Sequence, residues 1–430
     1  MKTEQGKILG LERNVFFTGL TSFFTDTTTK MIYSVMPMFL MSIGASKTTI
    51  GLIEGIAEST ASLIKVISGY WSDKIGKNKP FMLIGYGITA LVTPLYALVR
   101  LPVHVLFFRF FERVGKGLRA APRDSLISGS VARLEAGKNF GFHKAMDNSG
   151  AIIGPLSAFL LLYFFRLDFT TIFLLAAIPS VLGVITIAVF IKEAKAVKSA
   201  TERISFRRLP RKFYFFLSII FVFTLGNSAD AFLLVKTTET GIEKAYIPFL
   251  YMIFNVVSVL LAVPIGKLSD KIGRERLIIP GFLLFAVTYF LFGHFNSISI
   301  FIGLFVMYGL YSALVDGSQK AMISDIVKKE MRGTGFGIYH AILGITLLPA
   351  SLIAGLLYDK VSSAAPFYFG SVMALIATAL MILFTVAQKS NKLKPAAKAN
   401  NERCYGTPEK NGNDDPNVKG NKKSTTTLIL

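Results

Sequence analysis

Ser72-Asp73-Lys74-Ile75-Gly76 and Ser269-Asp270-Lys271-Ile272-Gly273 are the same five residues, 197 positions apart in a chain of 430. A second match, Phe140-Gly141 with Ala145 against Phe336-Gly337 with Ala341, recurs at a spacing of 196. Two unrelated matches at nearly one offset argue for an internal duplication. Each pentapeptide follows an apolar run near the ~20 residues that cross a bilayer. Outward from these two runs, similar segments fall at 15–43, 49–71, 81–99, 103–125, 139–163, 169–191, 213–236, 245–266, 277–293, 298–320, 334–357 and 364–387. Lipid offers no water to unpaired backbone groups, so each is expected to be a helix. The fold class is therefore an all-α polytopic membrane protein, with twelve transmembrane helices in two six-helix bundles related by duplication.

Composition agrees. Hydrophobic residues make up 52% and charged residues only 17% of the chain, against about 25% charged in an average soluble protein, and mean hydropathy is +0.54. A net charge of +21 in a soluble protein would suggest nucleic acid as a partner. Here the cations are interleaved with apolar runs, and no nucleic-acid partner is expected. They cluster after even-numbered spans: Lys74, Lys77 and Lys79, then Arg133 and Lys138, then Lys271, Arg274 and Arg276, then Lys328, Lys329 and Arg332. Alternate loops hold at most two each. The positive-inside rule then puts both termini in the cytoplasm and the protein in the cell membrane.

Residues 1–14 form a polar cytoplasmic N-terminus, and the apolar segment after them is interrupted by Asp26 and Lys30, unlike a cleavable signal peptide. The halves are 15–191 and 213–387, joined by a basic cytoplasmic connector, 192–212; a Lys-, Asn-, Pro- and Gly-rich tail, 388–430, has a disordered composition. Cys404, the single cysteine, excludes an intrachain disulfide and a cysteine-based metal site. The four histidines, His104, His143, His294 and His340, lack metal-ligand spacing, and Gly115-Lys116-Gly117 lacks the glycine spacing and Ser or Thr of a phosphate loop. No metal, no cofactor and no enzyme chemistry are indicated.

The loop between spans two and three reads Gly69-Tyr70-Trp71-Ser72-Asp73-Lys74-Ile75-Gly76-Lys77-Asn78-Lys79, and its second-half copy Gly266-Lys267-Leu268-Ser269-Asp270-Lys271-Ile272-Gly273-Arg274-Glu275-Arg276. Both resemble the signature Gly-x-x-x-Asp-(Arg/Lys)-x-Gly-(Arg/Lys)-(Arg/Lys) of the major facilitator superfamily, with Asn78 and Glu275 departing from it. With the duplication, the resemblance covers about residues 15–387. It implies a secondary transporter working by alternating access to a site at midplane between parallel repeats, in which the loop aspartate holds the cytoplasmic side closed. Gly69, Asp73, Lys74, Gly76 and Lys77, and the copies Gly266, Asp270, Lys271, Gly273 and Arg274, are the candidate gating residues. The bland alternative is that these loops serve only as positive-inside anchors.

Ionisable residues inside a span are costly and mark a pathway by default. Glu54, Glu58 and Lys65 fall within roughly 40° of one another on the second span, and Arg109, Glu112, Arg113, Lys116, Arg119 and Arg123 within roughly 120° on the fourth. Such stripes must face protein or water; they serve either as ion pairs that cement the bundle or as part of the pathway. Asp26 and Lys30 lie one turn apart on the first span, and Asp147 lies on the fifth. The resemblance implies an acidic proton site beside a fourth-span arginine, which points to Asp26 with Arg113. Lys30 either neutralises Asp26, binds an anion, or snorkels. The second half offers Asn227, Asp230, Asn255 and Asp316, with Tyr308, Tyr311 and Phe254 as candidate aromatic walls.

Gly150-Ala151-Ile152-Ile153-Gly154-Pro155 resembles the Gly-x-x-x-Gly-Pro element of the superfamily's proton-coupled drug exporters. Small residues let helices approach closely, and Gly150, Gly154 and Pro155 are the candidate packing motif; close packing without bearing on direction is the alternative. The expected function is proton-coupled movement of a small solute by a monomer in the lipid bilayer, efflux by antiport being favoured. An importer of an organic solute or anion is the rival, and a non-transporting sensor or scaffold is the rival of another class.

Overall fold

The structure is a computed structural model that describes residues 7–131, 136–193, 209–328 and 331–404. A two-stranded hairpin, β1 (Lys7–Ile8) and β2 (Leu11–Glu12), turns at Leu9 and Gly10, both with positive φ, as a tight hairpin turn requires. The first half then runs α1 (Arg13–Ser42), α2 (Lys47–Ile75), α3 (Lys79–Leu95, continued by a 3-10 turn Tyr96–Leu98), α4 (Pro102–Ser130), α5 (Ala136–Tyr163) and α6 (Phe169–Phe190). The second half runs α7 (Arg211–Gly226), α8 (Ala231–Thr238), α9 (Tyr246–Ile272), α10 (Glu275–His294), α11 (Ile298–Ile326), α12 (Arg332–Lys360) and α13 (Ala365–Cys404). Counting α7 and α8 as one, these are twelve spans among the described residues, as the apolar runs required.

Nine of the spans are long and apolar enough to cross a membrane by composition alone. The three that are not, α1, α2 and α4, carry the charges singled out in the first half. Each is 29 or 30 residues long, about 44 Å of helix, so length is not what they lack. Their polar faces turn inward: Thr18, Thr21, Ser22, Thr25 and Thr28 of α1, Glu54 of α2 and Arg109 of α4 are buried.

The repeated pentapeptides end α2 and α9 in the same way. Gly76 (φ 70°) and Gly273 (φ 99°) adopt positive φ, and each donates its N–H to the serine carbonyl four residues back, Ser72 at 2.8 Å and Ser269 at 3.1 Å. A left-handed residue just beyond a helix terminates it at little cost only when it is glycine. The duplication is thus visible in hydrogen bonding as well as in letters.

Packing repeats too. α1 lies on α5, α2 and α3 on α4, while α9 and α10 lie on α11 and α7 on α12. The halves meet along two equivalent seams, α2 against α12 and α5 against α9. Two expectations change. The seventh span is broken: Gly226 ends α7, Asn227-Ser228-Ala229-Asp230 is non-helical, and α8 resumes at Ala231. Averaged hydropathy runs through the break, because the apolar residues of α7 and α8 on either side outweigh Asn227, Ser228 and Asp230. Residues beyond Phe384 form a separate compact unit whose backbone is helical to Cys404, where a disordered tail was expected from residue 388. Alanines 396, 397 and 399 are strong helix formers that a tally of Lys, Asn and Pro overlooks. Most of the basic connector, 194–208, and the tail from 405 lie outside the described residues.

Candidate transport site

α2 and α4 run side by side with two acidic residues one turn apart on the first and two arginines one turn apart on the second. They meet in register. Arg109 grips Glu54 through Nε (3.1 Å to Oε1) and Nη2 (2.7 Å to Oε1, 2.5 Å to Oε2). Its Nη1 reaches Glu112 Oε2 at 3.3 Å, and the Tyr96 hydroxyl donates to that same oxygen at 2.9 Å. The Tyr33 ring covers the guanidinium at 5.4 Å. Arg109 is 0% and Glu54 1% exposed. Desolvating such a group is costly, and it is tolerated only where every donor finds an acceptor. This cluster is sealed, and what it can do is hold α2, α3 and α4 together.

One turn on, Arg113 Nη2 pairs with Glu58 Oε1 at 3.0 Å, and Glu58 is half-exposed. The expected pairing of Asp26 with Arg113 is therefore not what the structure shows. The 54/109 contact fixes the register of two parallel helices, which brings 58 opposite 113 by the same helical step. The Arg113 Nε is buried without a hydrogen-bond partner among the described residues.

Asp26 instead meets Asp147 carboxyl to carboxyl across the α1–α5 seam. The Gly-x-x-x-Gly motif makes that seam. A Cβ on Gly150 would stand 2.5 Å from the Phe23 carbonyl and 3.0 Å from the Asp26 Cβ; one on Gly154 would stand 2.5 Å from the Thr27 carbonyl and 3.1 Å from the Lys30 Cβ. Only glycine lets α5 lie this close to the segment bearing Asp26 and Lys30, and Asp147, three residues before Gly150, is carried alongside. Pro155 lies inside α5 directly after it. Arg119 and Lys116 of α4 act on Asp26 through space, Arg119 itself donating to the Thr89 hydroxyl at 2.6 Å and lying over the Tyr86 ring. Arg123 Nη1 lies 3.7 Å from Asp147 Oδ1, and Lys144 Nζ 3.3 Å from Oδ2.

The second half contributes aromatic and polar groups. Lys30 Nζ donates to the Tyr251 hydroxyl at 3.0 Å and lies 5.7 and 5.3 Å from the Tyr33 and Tyr251 ring centres. Asp230, in the α7–α8 break, accepts from the Tyr308 hydroxyl at 2.8 Å, and Asn227 Nδ2 donates to the Tyr311 hydroxyl at 3.0 Å. Phe254 bridges Tyr251 (5.5 Å) and Tyr308 (5.0 Å). Asp316 accepts from Ser312 at 2.8 Å. Asn255, expected in the site, spends its amide on the Tyr251 carbonyl of its own helix at 2.7 Å. Lys116 on α4 and Asp316 on α11, one in each half, have exposed side chains, as charged groups bordering an opening between the halves would. Tyr33 and Tyr251 were not singled out from sequence; Tyr33 is three residues from Lys30 and Tyr251 four from Asn255, spacings that share a helix face.

At the end bearing the pentapeptide turns, Arg274 bridges Asp270 (2.5 Å) and Asp325 of α11 (3.2 Å) and donates to Ser269 Oγ at 2.9 Å. Gly69 packs on Ala121, Lys74, Lys77, Gly266 and Lys271 are exposed, and the Asp73 side chain lies outside those described. The opposite end is tied across both seams between the halves. Asp359 of α12 caps α2, accepting from the Thr48 N–H and hydroxyl, each at 2.7 Å, and from the Lys47 N–H at 3.2 Å. In the equivalent seam Arg166 pairs with Glu243 beneath a cluster of Phe159, Tyr163, Tyr246 and Phe249. Sequence reading gave no sign of this closure, since Asp359 and Glu243 look like ordinary loop-edge charges.

The sequence model of the Major Facilitator Superfamily matches this chain twice, at residues 18–235 and 213–424. An uncharacterized MFS-type transporter of the archaeon Methanocaldococcus jannaschii is 36% identical over 87% of this chain and 95% of its own length. Multidrug resistance protein 2 of Bacillus subtilis is 25% identical over 82% of this chain and 90% of its own. Among solved structures, a POT family transporter in complex with 5-aminolevulinic acid superposes with a TM-score of 0.76 at 13% identity, covering 88% of this chain and 97% of that one. A bacterial homolog of the human lysosomal transporter Spinster, inward-facing and occupied, gives 0.70 at 15% identity over 86% and 96%. Two matched halves and a relative this similar along nearly its whole length place the chain in the Major Facilitator Superfamily of secondary transporters.

Proposed function

We propose that this transporter couples the movement of a small organic solute to protons, with Asp26 and Asp147 as the proton-binding pair. The observation that carries this is their contact. Two carboxyl groups can share one proton between them, whereas two carboxylates repel. The positive charges of Arg119 and Lys116 bear on Asp26, and Arg123 and Lys144 pair with Asp147, so cations oppose that proton from both sides. A movement of α1 against α5 that separates the pair exchanges the proton for those cations, so proton occupancy and conformation are linked. Glu58 with Arg113 borders the same space, and Asn227, Asp230 and Asp316 supply the opposite wall.

Export is favoured over import by the Gly150-Ala151-Ile152-Ile153-Gly154-Pro155 motif and by relatives named multidrug resistance proteins in Bacillus subtilis and Photorhabdus laumondii. The cation-rich turns support a reading with both termini in the cytoplasm of a cell-membrane protein, in which the end held by Asp359 faces outward; a monomer is part of the same reading. The pentapeptide loops act as the inner latch: Asp270–Arg274–Asp325 ties α9 to α11, with Asp73 as the first-half counterpart. Import of an organic anion is the second reading, favoured by the unpaired cations of the first half. The test is uptake of a drug and metabolite panel into right-side-out and inverted vesicles under an imposed pH gradient. Gradient-driven accumulation in inverted vesicles supports export; accumulation only in right-side-out vesicles supports import; flux indifferent to the gradient in both removes proton coupling.

A further inference from the structure

Lys30 is the anomaly of the interior. It sits midway along α1, and Gly154 presses α5 against its own Cβ position, so the base of the side chain is fixed. A lysine at this depth costs several kcal/mol unless compensated, and compensation ordinarily comes from a carboxylate. Among the described residues no carboxylate lies within ion-pair distance of Lys30. Asp26, one turn below, is turned to Asp147, and Asp230 across the space is held by Tyr308. What Lys30 has is a phenol hydroxyl at 3.0 Å and two ring faces, from Tyr33 of the first half and Tyr251 of the second.

A fixed cation with no carboxylate in ion-pair contact among the described residues, Asp230 and Asp26 acting on it only from farther off, is half of an ion pair. We propose that the other half is the solute: Lys30 binds an anionic group, of carboxylate type, on an organic molecule whose apolar or aromatic body lies against Tyr33, Tyr251 and Phe254. The Tyr251 hydroxyl then turns from accepting Lys30 to donating to the anion, as a phenol can do either. Because Lys30 belongs to one half and Tyr251 to the other, one ligand oxygen touches both halves at once, and loading is sensed at the seam.

A second, independent observation agrees. Lys65 of α2, Lys116 of α4 and Lys320 of α11 make no ion pair among the described residues, Lys116 and Lys320 being exposed. Cations from three helices and both halves, none of them locked in an ion pair among the described residues, remain available to draw anions toward the site. A route for cationic drugs would carry the opposite sign. The inference rests on the transporter reading but not on proton coupling.

The experiment is thermal-shift titration of the purified full-length protein with benzoate, salicylate and indole-3-acetate, each beside its neutral amide, and with tryptamine as an aromatic cation. Wild type is expected to be stabilised by the acids and not by the amides or the amine. Lys30→Gln is expected to melt like wild type without ligand and to weaken acid binding about ten- to a hundredfold, the worth of one charge-assisted hydrogen bond; Lys30→Arg keeps part of the affinity and Tyr251→Phe lowers it. Equal stabilisation by acid and amide, preference for tryptamine, no stabilisation by any of the three acids, or acid affinity unchanged in Lys30→Gln each overturns the proposal. Vesicle flux of a binding acid with and without a pH gradient separates the two ideas: flux that needs Lys30 but ignores the gradient removes proton coupling alone.

Discussion

The carboxylate of Asp359, at the end of α12, caps the first turn of α2 by accepting from both the N–H and the hydroxyl of Thr48 at 2.7 Å. The cap joins the halves: the helix belongs to the first and the carboxylate to the second. Its partner seam closes through the Arg166–Glu243 ion pair. A carboxylate at a helix N-terminus gains from the exposed N–H groups and the helix dipole, and here that gain exists only while this end is shut. Removing it in Asp359→Ala is expected to cost the closed state about 1 kcal/mol, roughly a fivefold shift in the equilibrium between closed and open. Spin-label distances between positions 45 and 361 measure that shift; an unchanged distribution contradicts it.

The sealed pair of Glu54 and Arg109 predicts a different outcome. Glu54→Ala leaves Arg109 with Glu112 alone in a dry site, and such an orphaned charge costs about 3–5 kcal/mol. The thermal midpoint of the detergent-solubilised protein is expected to fall sharply. Replacing both, Glu54→Leu with Arg109→Leu, is expected to be much milder, because no charge is then left unpaired. A double variant as unstable as the single one refutes a purely structural role for the cluster.

Twelve spans are legible from sequence because each needs only a run of apolar letters, and the duplicated Ser-Asp-Lys-Ile-Gly turns show that two similar halves follow one another. The charged stripes on α2 and α4 were legible as faces, but not which acid met which base: Asp26 and Arg113 are both on inward faces, and only the register between α2 and α4 assigns Arg113 to Glu58. Lys30 was legible as an oddity, while Tyr251, 221 residues later, is brought to it by a seam between halves that no local pattern encodes. The break at Asn227–Asp230 is not legible in hydropathy because four residues are averaged into the apolar runs on both sides of them.

The α1–α5 seam is a matter of ångströms. Gly150→Ala would place a methyl 2.5 Å from the Phe23 carbonyl, and overpacking of this kind costs about 1–3 kcal/mol. Gly87 of α3, with nothing within 4 Å of its would-be Cβ, is the control. Gly150→Ala is expected to lower the thermal midpoint and to uncouple solute flux from the pH gradient by parting Asp26 from Asp147. Gly87→Ala is expected to do neither. Equal behaviour of the two variants in reconstituted vesicles contradicts the role given to the motif.

Infrared difference spectroscopy between the purified protein and its Asp26→Asn and Asp147→Asn variants tests the carboxyl pair itself. One proton held between two side chains predicts a protonated-carboxyl C=O band in wild type at neutral pH that disappears when either partner is replaced. A band that survives both replacements, or a wild-type protein without one, contradicts the pair as the proton carrier.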